Sequence, residues 1–328
     1  MEKKKSIYIN SQGGTGFNLA LAHVIPELKE KYDEVAVLSP YFDIFESCPY
    51  VDSVYKPNEI RDFIFDAKSK DAKLICERMY DSEEFIYKKV SYADAWRKAA
   101  GLKTKGNKDG SDTKTNLEPE KKYPYLGNQA NEIVKTIKEK GYKDFVIMQF
   151  TGGQSPLVQV PQSTDKDGKV FADWNKVPYN YENEPLKRHY PIDLVNKFIE
   201  LFRNAHPETA VILYQLPNEP APENVFRFTV PYLAYHVLAR KDECAGVVSI
   251  DSSLQHLVAG LTKTVVIWGH SLPLSFGYDY NKNILQDCRR DDILYFSALG
   301  PSGAAIRYIK PEDLLKEVDA YIFGKDEK

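Results

Sequence analysis

The chain has 328 residues, 43% hydrophobic and 28% charged, with a formal net charge of -3 at neutral pH. That length exceeds one ordinary core and points to two domains. The near balance of charge excludes a global attraction to nucleic acid or anionic membrane, so either would need a local patch.

The opening MEKKKSIYIN passes straight into a β-like run, without the apolar stretch of a signal peptide or the roughly 18 apolar residues of a membrane span. No membrane span and a cytoplasmic setting are therefore expected. Periodicity gives a strand at 6–10, a glycine-rich turn, a helix at 17–31 and a strand at 34–39, which is a βαβ opening. Leu19, Ala22, His23 and Pro26 share one helical face, and Pro26 is expected to kink the helix or end it early. Short strands follow at 52–55 and 73–76, then a tyrosine-rich helical stretch at 82–100. Residues 103–122 are polar and have no apolar period; their lysines are nearly balanced by acids, so the segment reads as a solvated loop. A helix at 128–140, stopped by Gly141, leads into a strand at 144–150, which puts a domain boundary near Lys140 and divides the chain into 1–140 and 141–328.

The second half alternates more clearly, with strands at 145–150, 210–215, 225–229, 246–250 and 264–268, and helices at 192–204, 234–240 and 253–261. Pro311 stands where a first-turn proline belongs, ahead of a helix at 312–323. The expected class is α/β: two Rossmann-like doubly wound domains facing across a cleft. The four cysteines, Cys48, Cys76, Cys244 and Cys288, have neither a CxxC pair nor regular spacing, so reduced thiols are expected instead of a zinc site or disulfide framework.

Ligands of such sheets gather at the carboxyl ends of the strands. After Phe150 come Thr151, Gly152 and Gly153, either a plain turn or a cradle of backbone N–H groups for an anion. After Gln215 comes Leu216-Pro217-Asn218-Glu219, whose acid is either a solvated loop residue or an acceptor for ribose hydroxyls. After Ile250 come Asp251, Ser252, Ser253 and, one turn on, His256. Asp251 suits a helix cap, but the two hydroxyls and free N–H groups of a helix start also suit phosphate. His256 faces either the same ligand or the core. Gly269, after Trp268, permits close approach of backbone to ligand.

The run Asp251-Ser252-Ser253-Leu254-Gln255-His256-Leu257-Val258-Ala259-Gly260-Leu261, then Thr264 to Gly269 and Phe276-Gly277, resembles the signature of the heptosyltransferase-like glycosyltransferases of family 9, which have the GT-B fold. The likeness extends over most of the chain, through Lys187-Arg188-His189-Tyr190-Pro191, Leu216-Pro217-Asn218-Glu219 and Tyr308-Ile309-Lys310-Pro311-Glu312-Asp313-Leu314. It implies an inverting, metal-independent transferase with no cofactor, whose first domain takes the acceptor and whose second takes a nucleotide-sugar donor. It further implies that Lys187 pairs with the donor phosphates, Glu219 holds the ribose, Ser252 and Ser253 meet phosphate and Asp251 contacts the donor sugar. A lysine and a helix start would together stabilise a departing diphosphate.

The family's first loop carries Gly-Asp, whose acid is the presumed base. This chain has Gly13-Gly14-Thr15-Gly16-Phe17-Asn18 there, and Asn18 cannot take a proton at neutral pH. The base then falls to another group among His23, Asp43 and Glu46, with Asp43 preferred because it follows the second strand, or else Gly14, Thr15, Gly16 and Asn18 only position the acceptor. The long stretch 155–185 is either a lid, with Trp174 and Tyr179 stacking on sugar, or a disordered insertion; its Asp165-Lys166-Asp167 reads as a polar turn. The acceptor is left open between a glycan, a small molecule and a modified nucleobase. The competing readings are a sugar-nucleotide epimerase and a nucleotide-binding protein without catalysis.

Overall fold

The structure is a computed structural model that describes residues 5–76, 79, 85, 90–107, 110–152, 189–215, 219, 221–268, 272–285 and 309–325, and the backbone of 162–164 and 170–172. The first half runs β1 (Ser6–Asn10), α1 (Thr15–Lys31), β2 (Glu34–Leu38), α2 (Phe42–Glu46), β3 (Ser53–Tyr55), α3 (Ile60–Ser69), β4 (Lys73–Ile75) and α4 (Tyr92–Ala100). Its strands form a parallel sheet in the order β3-β2-β1-β4. After α5 (Pro119–Lys122) and α6 (Pro124–Glu139) come β5 (Asp144–Met148), the antiparallel hairpin β6 (Gln162–Thr164) and β7 (Val170–Ala172), α7 (Ile192–Ala205), β8 (Thr209–Leu213) and β9 (Phe226–Arg227). The chain continues through α8 (Tyr232–Ala239), β10 (Cys244–Ile250), α9 (Ser253–Leu257), β11 (Thr264–Trp268), α10 (Pro273–Phe276), β12 (Lys282–Leu285) and α11 (Pro311–Tyr321). The second sheet is parallel, in the order β12-β11-β10-β5-β8-β9.

Both sheets are covered on two faces, as continuous apolar strands such as Phe145-Val146-Ile147-Met148 require. Phe63 and Ala67 of α3 close over Tyr8, Ala36 and Leu38 on one face of the first sheet. Phe198 and Phe202 of α7 with Leu314 and Val318 of α11 close over Val146, Val211, Val248 and Val265 on one face of the second. The remaining faces share a single apolar cluster in which Ile7, Ile9 and Val35 join Phe145, Ile147 and Val247 through α1, α4, α6, α8 and α9. Burial of this kind contributes about 25 cal/mol per Å² of apolar surface, so the two halves are bonded by core and not merely tethered.

The helix after β1 begins at Thr15, two residues earlier than its apolar period indicates, so Thr15 and Gly16 lie in its first turn. Pro26 does not stop it. The helix continues to Lys31 because the Ala22 carbonyl, which proline deprives of its i+4 donor, receives Asn116 Nδ2 at 3.0 Å. The helix expected at 253–261 ends sooner, at Leu257, and Gly260 holds φ +73° beyond it. Of the stretch 82–100, Tyr92–Ala100 is helical, and most of 82–89 lies outside the described residues.

The largest correction concerns 103–122, read as a solvated loop. Its described part is a strap between the halves, with Ser111, Thr113, Leu117 and Pro119 buried. Ser111 N donates to Gly277 O at 2.8 Å, Thr115 N to Ala259 O at 2.9 Å and Glu118 N to Ser47 O at 2.8 Å. Gly110 starts it at φ +125°, where a Cβ would lie 2.7 Å from Gly277 O, so only glycine fits. Backbone pairing with irregular partners leaves no apolar period, which is why composition misreads the segment. Nearby, wholly buried Arg97 spans Asp94 at 2.8 Å, Glu27 at 2.7 Å and Asp112 at 3.2 Å, pinning the strap's approach to α1 and α4. Cys48, Cys76 and Cys244 are free thiols, and Cys288 lies outside the described residues.

Candidate functional site

The carboxyl ends of β5, β8 and β10 converge as the alternation requires. Gln149, just past β5, organises them: its Nε2 donates to Ser252 Oγ at 3.0 Å and to Thr151 O at 2.9 Å, and its Oε1 accepts from Leu254 N at 3.3 Å. Thr151 Oγ1 donates to Glu219 Oε2 at 2.6 Å, with Glu219 only 4% exposed. Gly152 N donates to His189 Nδ1 at 3.0 Å, which fixes the neutral ring with its proton on Nε2. Ser253 Oγ lies 3.3 Å from Tyr214 OH, and Gln255 Nε2 donates to Asp251 Oδ1 at 3.1 Å. Thr151, Gly152, Glu219, Asp251, Ser252 and Ser253 are thus brought together, while Lys187, Gly153, Gly269, Trp174, Tyr179 and Asp165-Lys166-Asp167 lie outside the described residues.

Two of the expected phosphate-facing N–H groups are engaged. Gly152 N serves His189, and Leu254 N, in the first turn of α9, serves Gln149. With five residues, α9 also sums few peptide dipoles. The hydroxyls of Ser252 and Ser253 are likewise placed by Gln149 and Tyr214.

His256 follows the core alternative. It is 6% exposed, and its Nδ1 meets Tyr278 OH at 2.8 Å, which in turn meets His23 Nδ1 at 3.1 Å. This His–Tyr–His chain crosses between α1 and the second half. Burial, with the neighbouring His256 and His236, holds the His23 pKa well below its usual value, and burial raises that of Tyr278. Both groups are therefore neutral at pH 7.

On the first half, Gly14 is open on its Cβ side, whereas a Cβ on Gly16 would meet His256 Cδ2 at 2.9 Å and Ser253 Cα at 3.8 Å. The glycine lets the start of α1 abut α9. Asn18 is fully buried beneath this loop: Nδ2 donates to Gly13 O at 3.1 Å and Gly14 O at 3.0 Å, and Oδ1 accepts from Ser39 Oγ at 2.7 Å. It shapes the loop from below and presents nothing to an acceptor.

Asp43 opens α2 on the same side of the junction, half-buried. Its Oδ1 accepts from Tyr232 OH at 2.6 Å and from Ile44 N at 3.1 Å, and Tyr232 is the first residue of α8 in the other half. Burial pushes the Asp43 pKa up and nearby Glu46 adds to it, outweighing the phenol and backbone donors that lower it. A carboxylate with a raised pKa is a better proton acceptor. Of the two alternatives to it, His23 is enclosed in the His–Tyr–His chain and Glu46 receives the hydroxyl of Tyr123. Burial raises the pKa of Tyr214, with Glu219 and Tyr41 adding to it and the Ser253 hydroxyl opposing it.

Sequence reasoning missed Gln149, Tyr214, Tyr232 and Tyr278. A polar residue closing the apolar run Phe145-Val146-Ile147-Met148 is a usable signal for Gln149. The tyrosines carry no such mark, since their hydroxyl partners lie up to 255 positions away.

No protein-family signature matches the chain, and no curated protein matches it in sequence. Solved structures do. Family 9 glycosyl transferase from Veillonella parvula DSM 2008 superposes with a TM-score of 0.62 at 12% identity, over 99% of each chain. ADP-heptose LPS heptosyltransferase II of E. coli gives 0.56 at 13%, over 97% of this chain and 99% of that one. The iron-containing dodecameric glycosyltransferase TibC from enterotoxigenic E. coli H10407 gives 0.55 at 12%, over 97% of this chain and 76% of that one. The likeness is one of fold: the chain has the α/β GT-B architecture of these proteins. Among the described residues no helix is long and apolar enough to cross a membrane.

Proposed function

We propose that the protein is an inverting glycosyltransferase that moves a sugar from a nucleotide-sugar donor to an acceptor hydroxyl without a metal ion. Residues 141–328 would carry the donor and 1–140 the acceptor. The observation that carries the reading is the Asp43 carboxylate, its pKa raised by burial and its Oδ1 bonded across the junction at 2.6 Å to Tyr232, whose own pKa is raised by burial and in part by Tyr214, the residue whose hydroxyl lies 3.3 Å from Ser253 Oγ.

In this reading Asp43 takes the proton of the acceptor hydroxyl as that oxygen bonds to the anomeric carbon from the face opposite the leaving group. The bond from that carbon to the diphosphate breaks, and its electron pair leaves with the phosphate oxygen. Ser252, Ser253 and Lys187 stabilise the departing charge, Glu219 receives the ribose hydroxyls and Asp251 orients the donor sugar. The free thiols Cys48, Cys76 and Cys244 agree with a reducing, cytoplasmic compartment.

The test is a matrix of ADP-, GDP- and UDP-sugars against saccharide, small-molecule and hydroxylated-nucleobase acceptors, read by nucleoside diphosphate release. Release that requires an acceptor, persists in EDTA and gives a product of inverted anomeric configuration is expected. Absence of both release and thermal stabilisation across the matrix overturns the reading.

A further inference from the structure

Asp43 and Tyr232 lie 189 positions apart and on opposite halves, yet share a hydrogen bond of 2.6 Å. The Ile44 N–H donates to the same oxygen, Oδ1, at 3.1 Å. Burial and adjacent Asp43 raise the Tyr232 pKa far above its usual value, so the phenol stays protonated and donates at every working pH. With the Asp43 backbone N–H also donating to the carboxylate, these donors fix its plane.

We propose that Tyr232 is a positioning residue for the base: it holds Asp43 Oδ1 from the opposite half and so fixes the orientation of the carboxylate that takes the acceptor's proton. The inference rests on the transferase reading, in which Asp43 is the base. A phenol suits the task because it orients the carboxylate without neutralising it, as a lysine or arginine there would. The other groups facing the pair are Glu46 on the same helix, Tyr123 donating to Glu46, Tyr41 ahead of α2 and Tyr214 at the end of β8.

The test compares Tyr232→Phe with Tyr235→Phe, which removes a hydroxyl from the same helix where it donates to the Leu213 and Phe228 carbonyls. Two readouts are used: the Asp43 carboxyl titration by ¹³C NMR, assigned with Asp43→Asn, and the pH profile of kcat for the donor and acceptor found above. Removing a donor from the ionised carboxylate raises its pKa. Tyr232→Phe should move the titration and the acid limb of kcat upward by roughly one pH unit and lower kcat about tenfold, with KM little changed. Tyr235→Phe should move neither. An unmoved Asp43 titration in Tyr232→Phe, or an equal shift in Tyr235→Phe, overturns the positioning role. Full turnover in Asp43→Asn overturns the base assignment instead, so the two failures are distinct.

Discussion

Asn116 is expected to be worth more than its half-buried place suggests, and the reason lies 90 positions away. Pro26 has no N–H for the carbonyl of Ala22, a fully buried residue, and Asn116 Nδ2 supplies the missing donor at 3.0 Å. Asn116→Ala leaves that carbonyl without a donor at a cost of about 1–3 kcal/mol; the accompanying contact from Cys48 Sγ, at 3.3 Å, adds little. In the Pro26→Ala background the helix regains its own donor, so the same Asn116→Ala change should cost only about 0.5–1 kcal/mol. The double-mutant cycle therefore predicts a coupling of about 1–2 kcal/mol. Urea unfolding of the four proteins, followed by far-UV circular dichroism at constant m, measures it. If Asn116→Ala costs the same in both backgrounds, the substitute-donor argument is wrong.

Gly16→Ala would put a methyl 2.9 Å from His256 Cδ2 and should cost about 1–3 kcal/mol by overpacking, displacing the imidazole from Tyr278; a thermal melt within a degree of wild type would contradict this. His236 has carbonyl oxygens at both ring nitrogens, Leu257 O at 2.9 Å and Leu117 O at 3.1 Å, yet burial prevails and holds its pKa down to about 4. Because that lies below the ordinary 6.5, its stabilising contribution is complete above about pH 6.5 and is lost as pH falls through 4, by up to about 3 kcal/mol. His23, also lowered, acts in the same direction. Urea stability should fall between pH 7 and 5 and fall less in His236→Gln; a flat wild-type profile would refute it. Asp251→Ala should lower turnover more than melting temperature, whereas a large melting shift with intact turnover returns Asp251 to a purely local structural role. Lys187→Ala should weaken nucleoside diphosphate binding by about 1.5–3 kcal/mol in calorimetry, and unchanged affinity removes Lys187 from the site.

What the sequence made legible was whatever rests on local repetition. The strands 264–268 and 6–10 and the long helices follow from apolar period, and the polar residues at strand ends follow from the alternation that puts those ends on one side. The same alternation sets Asp251 just past β10 and brings Glu219 to Thr151 past β5. What stayed hidden depends on partners far along the chain: Asn116 mending α1, Tyr232 reaching Asp43 and the backbone pairing of 111–118. Asn18 shows the reverse error, because an amide in a glycine loop reads as ligand-facing until its burial and its three hydrogen bonds are seen.

The shared apolar cluster and the strap that crosses it have a mechanical consequence. Two lobes joined by a bare linker can swing apart, but here α1 packs on α9 through Gly16, and hydrogen bonds at Ser111, Thr115 and Glu118 stitch the seam. A wide hinge opening would expose core and break those bonds together. Relative motion of the halves is therefore confined to slippage of packed helices over small distances, with the shared apolar floor staying sealed.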